Sequence, residues 1–275
     1  MPNCYYQSSK GQRVQLNSAP VLVGTAENLR GNSWGYTIGT RTLTGITREA
    51  FTVSLSAYFG DQKEADTLRR LADYDMANGT PGTFHCGDWY QRAYIVGYDA
   101  SEITRTHHEE ELEIVLLDGQ WGKWNTLTLW PTADDPSTAY LDLPVDAPFD
   151  LLPPAGASGI TNASLLPSPV RLTFYGPAVS PYLLIGSNRY EIKATIPSGS
   201  RVVVDGSVWP RTIQMISAEG NITDIFSAGE RGDGEGAGSY IFEKIKPGYS
   251  AIQWSGSFGI DVEWLTQEGG IPWVL

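Results

Sequence analysis

One segment of this chain, and no other, repeats its apolar residues convincingly at helical spacing. Ala65, Leu68, Ala72 and Met76 recur three or four apart with Leu71 beside them, the mark of a helix with one buried face. Asp61 is placed as its N-cap with Glu64 three residues on, and Asn78-Gly79 ends it. Elsewhere the apolar residues alternate in short runs. The clearest runs from Ala50 to Phe59, where Phe51, Val53, Leu55, Ala57 and Phe59 fall on one face of a strand. With 30 glycines and 17 prolines in 275 residues, such runs are cut short repeatedly. The fold class predicted is mainly β, with one helix packed across a sheet.

Further strands of a first module are expected near Tyr5–Tyr6, Arg13–Leu16, Thr83–His85, Gln91–Tyr98, Glu111–Leu117 and Asn125–Trp130. Gly24 to Gly39 is polar and glycine-rich and reads as a long loop. Eight prolines between Pro131 and Pro169 fix φ and remove amide donors, so that stretch is read as extended. Beyond it, alternation at Val170, Leu172 and Phe174 opens a strand-dense module. Gly186-Ser187-Asn188 and Asp205-Gly206 supply its hairpin signals. The organisation expected is a module over 1–130, a Pro/Asp-rich linker over 131–148 and a β-sandwich over 149–275.

The net charge of −12 divides as −4 over residues 1–130, −5 over 131–150 and −3 over 151–275. No basic stripe offers to hold a nucleic-acid backbone. Two cysteines, Cys4 and Cys86, are too few for a disulfide framework, and a reducing cytosol is the expected place of synthesis. Residues 1–10 lack a basic and then apolar signal, and no run of apolar residues is long enough to span a membrane.

Candidate chemistry is sparse. His107-His108-Glu109-Glu110 has metal-binding residue types, but neighbours on a strand point to opposite faces. It reads as a solvated hairpin tip with surface acids. His85-Cys86 near Asp88 fails as a nucleophilic pair for the same reason. Gly229 to Gly238 lacks the helix start of a phosphate loop and the ligand spacing of a calcium loop, and reads as a mobile loop. Asn162-Ala163-Ser164 and Asn221-Ile222-Thr223 match a glycan acceptor pattern without other support. No catalytic residue, metal site or cofactor site is assigned. The second module is rich in aromatics, and Trp209 and Trp273 are the candidates for stacking on sugar rings.

Three stretches align with one family. They are Asn78 to Phe84 with Asp88 to Gly97, Leu172 to Pro181 with Ile185 to Ile192, and Ile245 to Trp254. In that order and spacing the chain, from about Tyr5 to Trp273, resembles the distal tail proteins of long-tailed, non-contractile phages. The resemblance implies an N-terminal belt domain, a β-barrel or sandwich with one helix, closing into a homohexameric ring around the tail channel. It implies a C-terminal galectin-like, jelly-roll sandwich projecting outward. The implied role is structural and non-enzymatic, without cofactors: a baseplate hub made in the host cytoplasm and carried at the distal end of the virion tail. The implied partners are tail tube protein, tail-tip protein and receptor-binding protein, with DNA passing through and no membrane contact. Galectin-like names a fold and does not imply sugar binding. The alternative is a carbohydrate-binding host-adhesion protein using the second module.

Overall fold

The computed structural model describes residues 3–16, 29–31, 34–59, 62–103, 108–131 and 158–271. The chain forms two units, Met1–Lys123 with Gln267–Leu275, and Trp124–Thr266. Most of the expected linker and the helix cap Asp61 lie outside the described residues.

In the first unit, β1 (Cys4–Gln7), β2 (Arg13–Gln15), β3 (Trp34–Ile38), β4 (Leu43–Arg48) and β5 (Phe51–Phe59) precede α1 (Gln62–Asn78). Strands β6 (Gly82–Cys86), β7 (Trp89–Ile103), β8 (His108–Leu116) and β9 (Trp121–Leu129) follow it. The antiparallel order is β2-β1-β6-β7-β8-β5. Long β7 pairs with β6 through Ala93 and with β8 from Ala93 onward. Tyr58 N donates to Leu16 O at 3.0 Å, a bond that ties β5 to the end of β2. The alternation of β5 is realised: Val53, Leu55, Ala57 and Phe59 are buried, while Thr52 and Ser54 are exposed. Trp121 fills the centre, edge-on to Phe84 at 5.9 Å, with its indole N–H donating to Leu29 O at 3.1 Å.

Helix α1 buries Ala65, Leu68, Leu71 and Ala72 as its spacing requires, but the fifth buried residue is Asp75. Met76, expected inside, is 48% exposed. The reason is polar. The Tyr6 hydroxyl donates to Asp75 Oδ2 at 2.7 Å, and Ser9 donates through its N–H at 3.1 Å and its hydroxyl at 2.5 Å. A buried carboxylate is tolerated only when so satisfied. Burial, then the Asp75 carboxylate, push the Tyr6 hydroxyl well above the usual phenol range, so it stays a donor.

The second polar tie is Glu110. Read from sequence as surface acid, it is fully buried on β8 and paired with Arg69 of α1. The guanidinium also lies over the Tyr98 ring, 5.3 Å from its centroid. The helix therefore binds the sheet through an apolar stripe and two carboxylates.

The second unit contains β10 (Ser158–Asn162), β11 (Val170–Tyr175), β12 (Ala178–Val179), β13 (Tyr182–Ile185) and β14 (Asn188–Glu191). It continues with β15 (Thr195–Ile196), β16 (Arg201–Asp205), β17 (Thr212–Ile216), β18 (Ile222–Asp224), β19 (Gly248–Trp254) and β20 (Ile260–Glu268). One sheet runs β18-β17-β16-β11-β20 and then residues 124–129 of β9; a second runs β10-β19-β13-β14, and β12 pairs with β15 alone among the described strands. Their inner residues form one core. Leu172, Val202, Val204, Ile213 and Val262 come from the first sheet, and Ile160, Leu183, Ile185, Tyr190 and Ile252 from the second. Two sheets around a shared core make a β-sandwich. Asn162 stitches its margin: its amide donates to Leu166 O and Ile245 O, and its oxygen accepts from Ser164 N and Ser168 Oγ.

Replacing Asp75 by Ala is expected to cost about 3 kcal/mol, because the Tyr6 and Ser9 donors lose their acceptor in the core. Met76→Ala should change stability little, and urea unfolding of the two variants measures the contrast. Gln91 gives the opposite case. It is fully buried on β7 and its amide has no partner among the described residues. Gln91→Met should therefore stabilise by about 1 kcal/mol in the same assay.

Candidate interaction surfaces

Strands β3 and β4 pair with each other and, among the described residues, with no further strand. This corrects the reading of residues 24–39 as loop: the 34–38 part is a strand, and its Trp34, Tyr36, Ile38 alternation was the available signal. A bulge sets Gly45 and Ile46 against Tyr36. Gly45 has φ +59°, the left-handed conformation that a bulge of this kind requires of its first residue. Trp34, Tyr36, Ile38, Leu43 and Ile46 are all exposed, Ile38 at 75%. Ile38 and Leu43 sit directly opposite and share a face. Arg48 covers the Trp34 ring at 3.8 Å. Two strands alone are marginally stable in water, and grouped apolar side chains on such a pair mark an interaction surface.

In the sandwich, Asp205-Gly206 does not form the two-residue hairpin turn expected. Asp205 still pairs with Thr212, and residues 206–211 form the connection. The Asp205 carboxylate is committed elsewhere. It accepts from Arg171 at 2.8 Å and from Ser207 N–H at 2.9 Å, which carries the chain outward. Trp209 lies on that excursion and is 88% exposed. Trp273, its companion candidate, lies outside the described residues.

The glycine-rich segment 229–238 is held at both ends. Glu230 pairs with Lys193 and accepts the N–H groups of Arg231 (3.0 Å) and Gly232 (2.7 Å). Arg231 donates to Phe226 O and stacks over its ring at 4.2 Å. Gly236 N–H donates to Glu243 at 2.7 Å, and Gly238 O accepts from Arg189 N–H. Four glycines at positive φ, Gly232, Gly234, Gly236 and Gly238, let the chain reverse inside these anchors. Beside it lies an open pocket of about 60 Å³ lined by Asn188, Tyr190, Gly238, Lys244 and Ser250. Small-molecule sites usually enclose roughly 300–1,000 Å³, so this pocket suits no ligand of ordinary size.

His85 and Cys86 separate as their strand positions require. Cys86 points into the core, whereas His85 lies on the opposite face, stacked on Tyr5 at 4.3 Å. No group of three or more metal-ligating side chains occurs among the described residues. His107 lies outside them. No described helix is long and apolar enough to cross a membrane.

The sequence matches no family model and no curated protein. Solved structures do match. The SPP1 Dit protein, described as a paradigm of the hub adsorption apparatus in phages infecting Gram-positive hosts, aligns with a TM-score of 0.52 at 11% identity. That alignment covers 97% of this chain and 99% of the other. The phage P2 baseplate in its activated conformation with calcium aligns at 0.57 and 8% identity, covering 98% and 99%. The chain shares their fold. With 97% and 98% of this chain covered, the likeness runs through both units.

Burial, then the nearby Arg13 charge, lower His85 from its ordinary 6.5 to about 4. The unfolded chain thus binds a proton that the folded chain refuses. Stability should fall as pH drops from 6.5 toward 4, and His85→Gln should flatten that slope between pH 5 and 6.5 in thermal melts.

Proposed function

We propose that this protein is a structural hub of a phage tail, placed at the distal end of the virion between the tail tube and the tip proteins. The observation that carries this reading is the two-unit β fold, shared over nearly its full length with a phage hub protein and a phage baseplate. The first unit forms the belt, whose copies close as a homohexamer, and the second forms the module that projects toward receptor-binding proteins. The work done is assembly, not turnover. The exposed β3–β4 hairpin supplies an apolar surface for the neighbouring copy. The acid-leaning belt suits a channel through which DNA slides without sticking.

Analytical ultracentrifugation and negative-stain imaging of purified protein should give closed rings, and a strictly monomeric particle at high concentration would sink the reading. Ile38→Asp combined with Trp34→Ser should dissociate the rings, since each anchor at such an interface contributes about 2 kcal/mol. A second reading, adhesion to cell-wall carbohydrate, is favoured by the exposed Trp209 indole alone. On it, Trp209→Ala should abolish retention on a glycan panel while leaving the melting temperature unchanged; absence of wild-type binding would remove it.

A further inference from the structure

The first strand and the strand after the helix meet at Cys4 and Cys86. The two cysteines are directly opposite in the β1–β6 ladder. Gly87 N–H donates to Asn3 O at 2.9 Å, so the neighbouring pair is hydrogen-bonded. Antiparallel ladders alternate, which makes Cys4 and Cys86 a non-hydrogen-bonded pair. Cα atoms in such pairs stand about 4.5 Å apart with side chains close, inside the roughly 4.4–6.8 Å window that a disulfide spans. Both side chains are buried on the same face, and the two sulfurs lie 2.9 Å apart. No disulfide joins them in this structure. The ladder register thus already holds the two sulfurs within reach of each other.

We propose that Cys4 and Cys86 are a modification site: a dithiol in a reducing compartment that closes to an intrachain disulfide once an oxidant of the small-disulfide class is present. The chemistry is two exchanges. One thiolate attacks the small disulfide, forming a mixed disulfide and expelling a small thiolate. The second cysteine attacks the protein sulfur of that adduct, forming the Cys4–Cys86 bond and expelling the second small thiol. The protein loses two electrons and two protons, and the oxidant becomes two thiols. Their shared hydrogen bond lowers the Cys4 thiol and, with burial, pushes the Cys86 thiol up. With only 3% and 1% of the two residues exposed, attack on the folded protein needs β1 to part from β6. Oxidation during folding escapes that barrier.

The test refolds the full chain from urea in a mixture of oxidised and reduced glutathione and reads intact mass with and without alkylation. The expected product is a single chain lighter by two hydrogens, with neither cysteine alkylatable, reverting with dithiothreitol. Closing a loop between residues 82 apart should raise the melting temperature by roughly 10 °C. Oxidation of already folded protein should be slower and should quicken in mild urea. Cys4→Ser should retain the full complement of hydrogens. Two alkylatable cysteines after oxidative refolding, a stable glutathione adduct, or a bond between chains would each overturn the assignment.

Discussion

A strand sends successive side chains to opposite faces, so each strand must hand half its residues to a core and half to something else. Both units follow from how that division is met. In the first, β5 gives Val53, Leu55, Ala57 and Phe59 inward, and helix α1 closes the core they line. In the second, two sheets close each other around one core. The hairpin β3–β4 meets the rule only in part, because its apolar side chains Trp34, Tyr36, Ile38, Leu43 and Ile46 stay exposed. Its Trp34, Tyr36 and Ile38 are the surplus of the arrangement, and that surplus is what assembly can use.

Two buried carboxylates decide how the helix sits. An apolar stripe of alanines and leucines could slide or rotate slightly without much loss. Asp75 and Glu110 cannot, since each must meet named donors from other elements. The cost of leaving either unpaired turns a slippery contact into a registered one. Their position within the core explains why hydrophobic spacing alone misplaced Met76: the pattern counts apolar residues and gives no weight to a carboxylate with three donors waiting.

Alternation in β5, the extent of α1 and the Gly186-Ser187 turn were legible in the sequence because each is written in local spacing. What was not legible depended on distant partners. Glu110 reads as surface acid until Arg69, forty-one residues earlier, is known to face it. Asp205-Gly206 reads as a tight turn until Arg171 claims the carboxylate. The segment 229–238 reads as mobile until Glu230, Arg231 and Glu243 are seen to anchor it. Trp34 to Ile38 is different: its alternation was visible, but flanking glycines hid it. Of the two tryptophans singled out for sugar stacking, the exposure of Trp209 follows from the Asp205 commitment, which no local pattern announces.

In the proposed ring, the uncovered hairpin also bears on how incomplete assemblies behave. An open arc of subunits has two ends, and each end keeps one sticky surface in water. A closed ring has none. Because the last joining event satisfies two surfaces while immobilising a single subunit, closure is favoured over every shorter arc. Intermediates would then be scarce at equilibrium, and the isolated subunit would be the species most prone to misassociation.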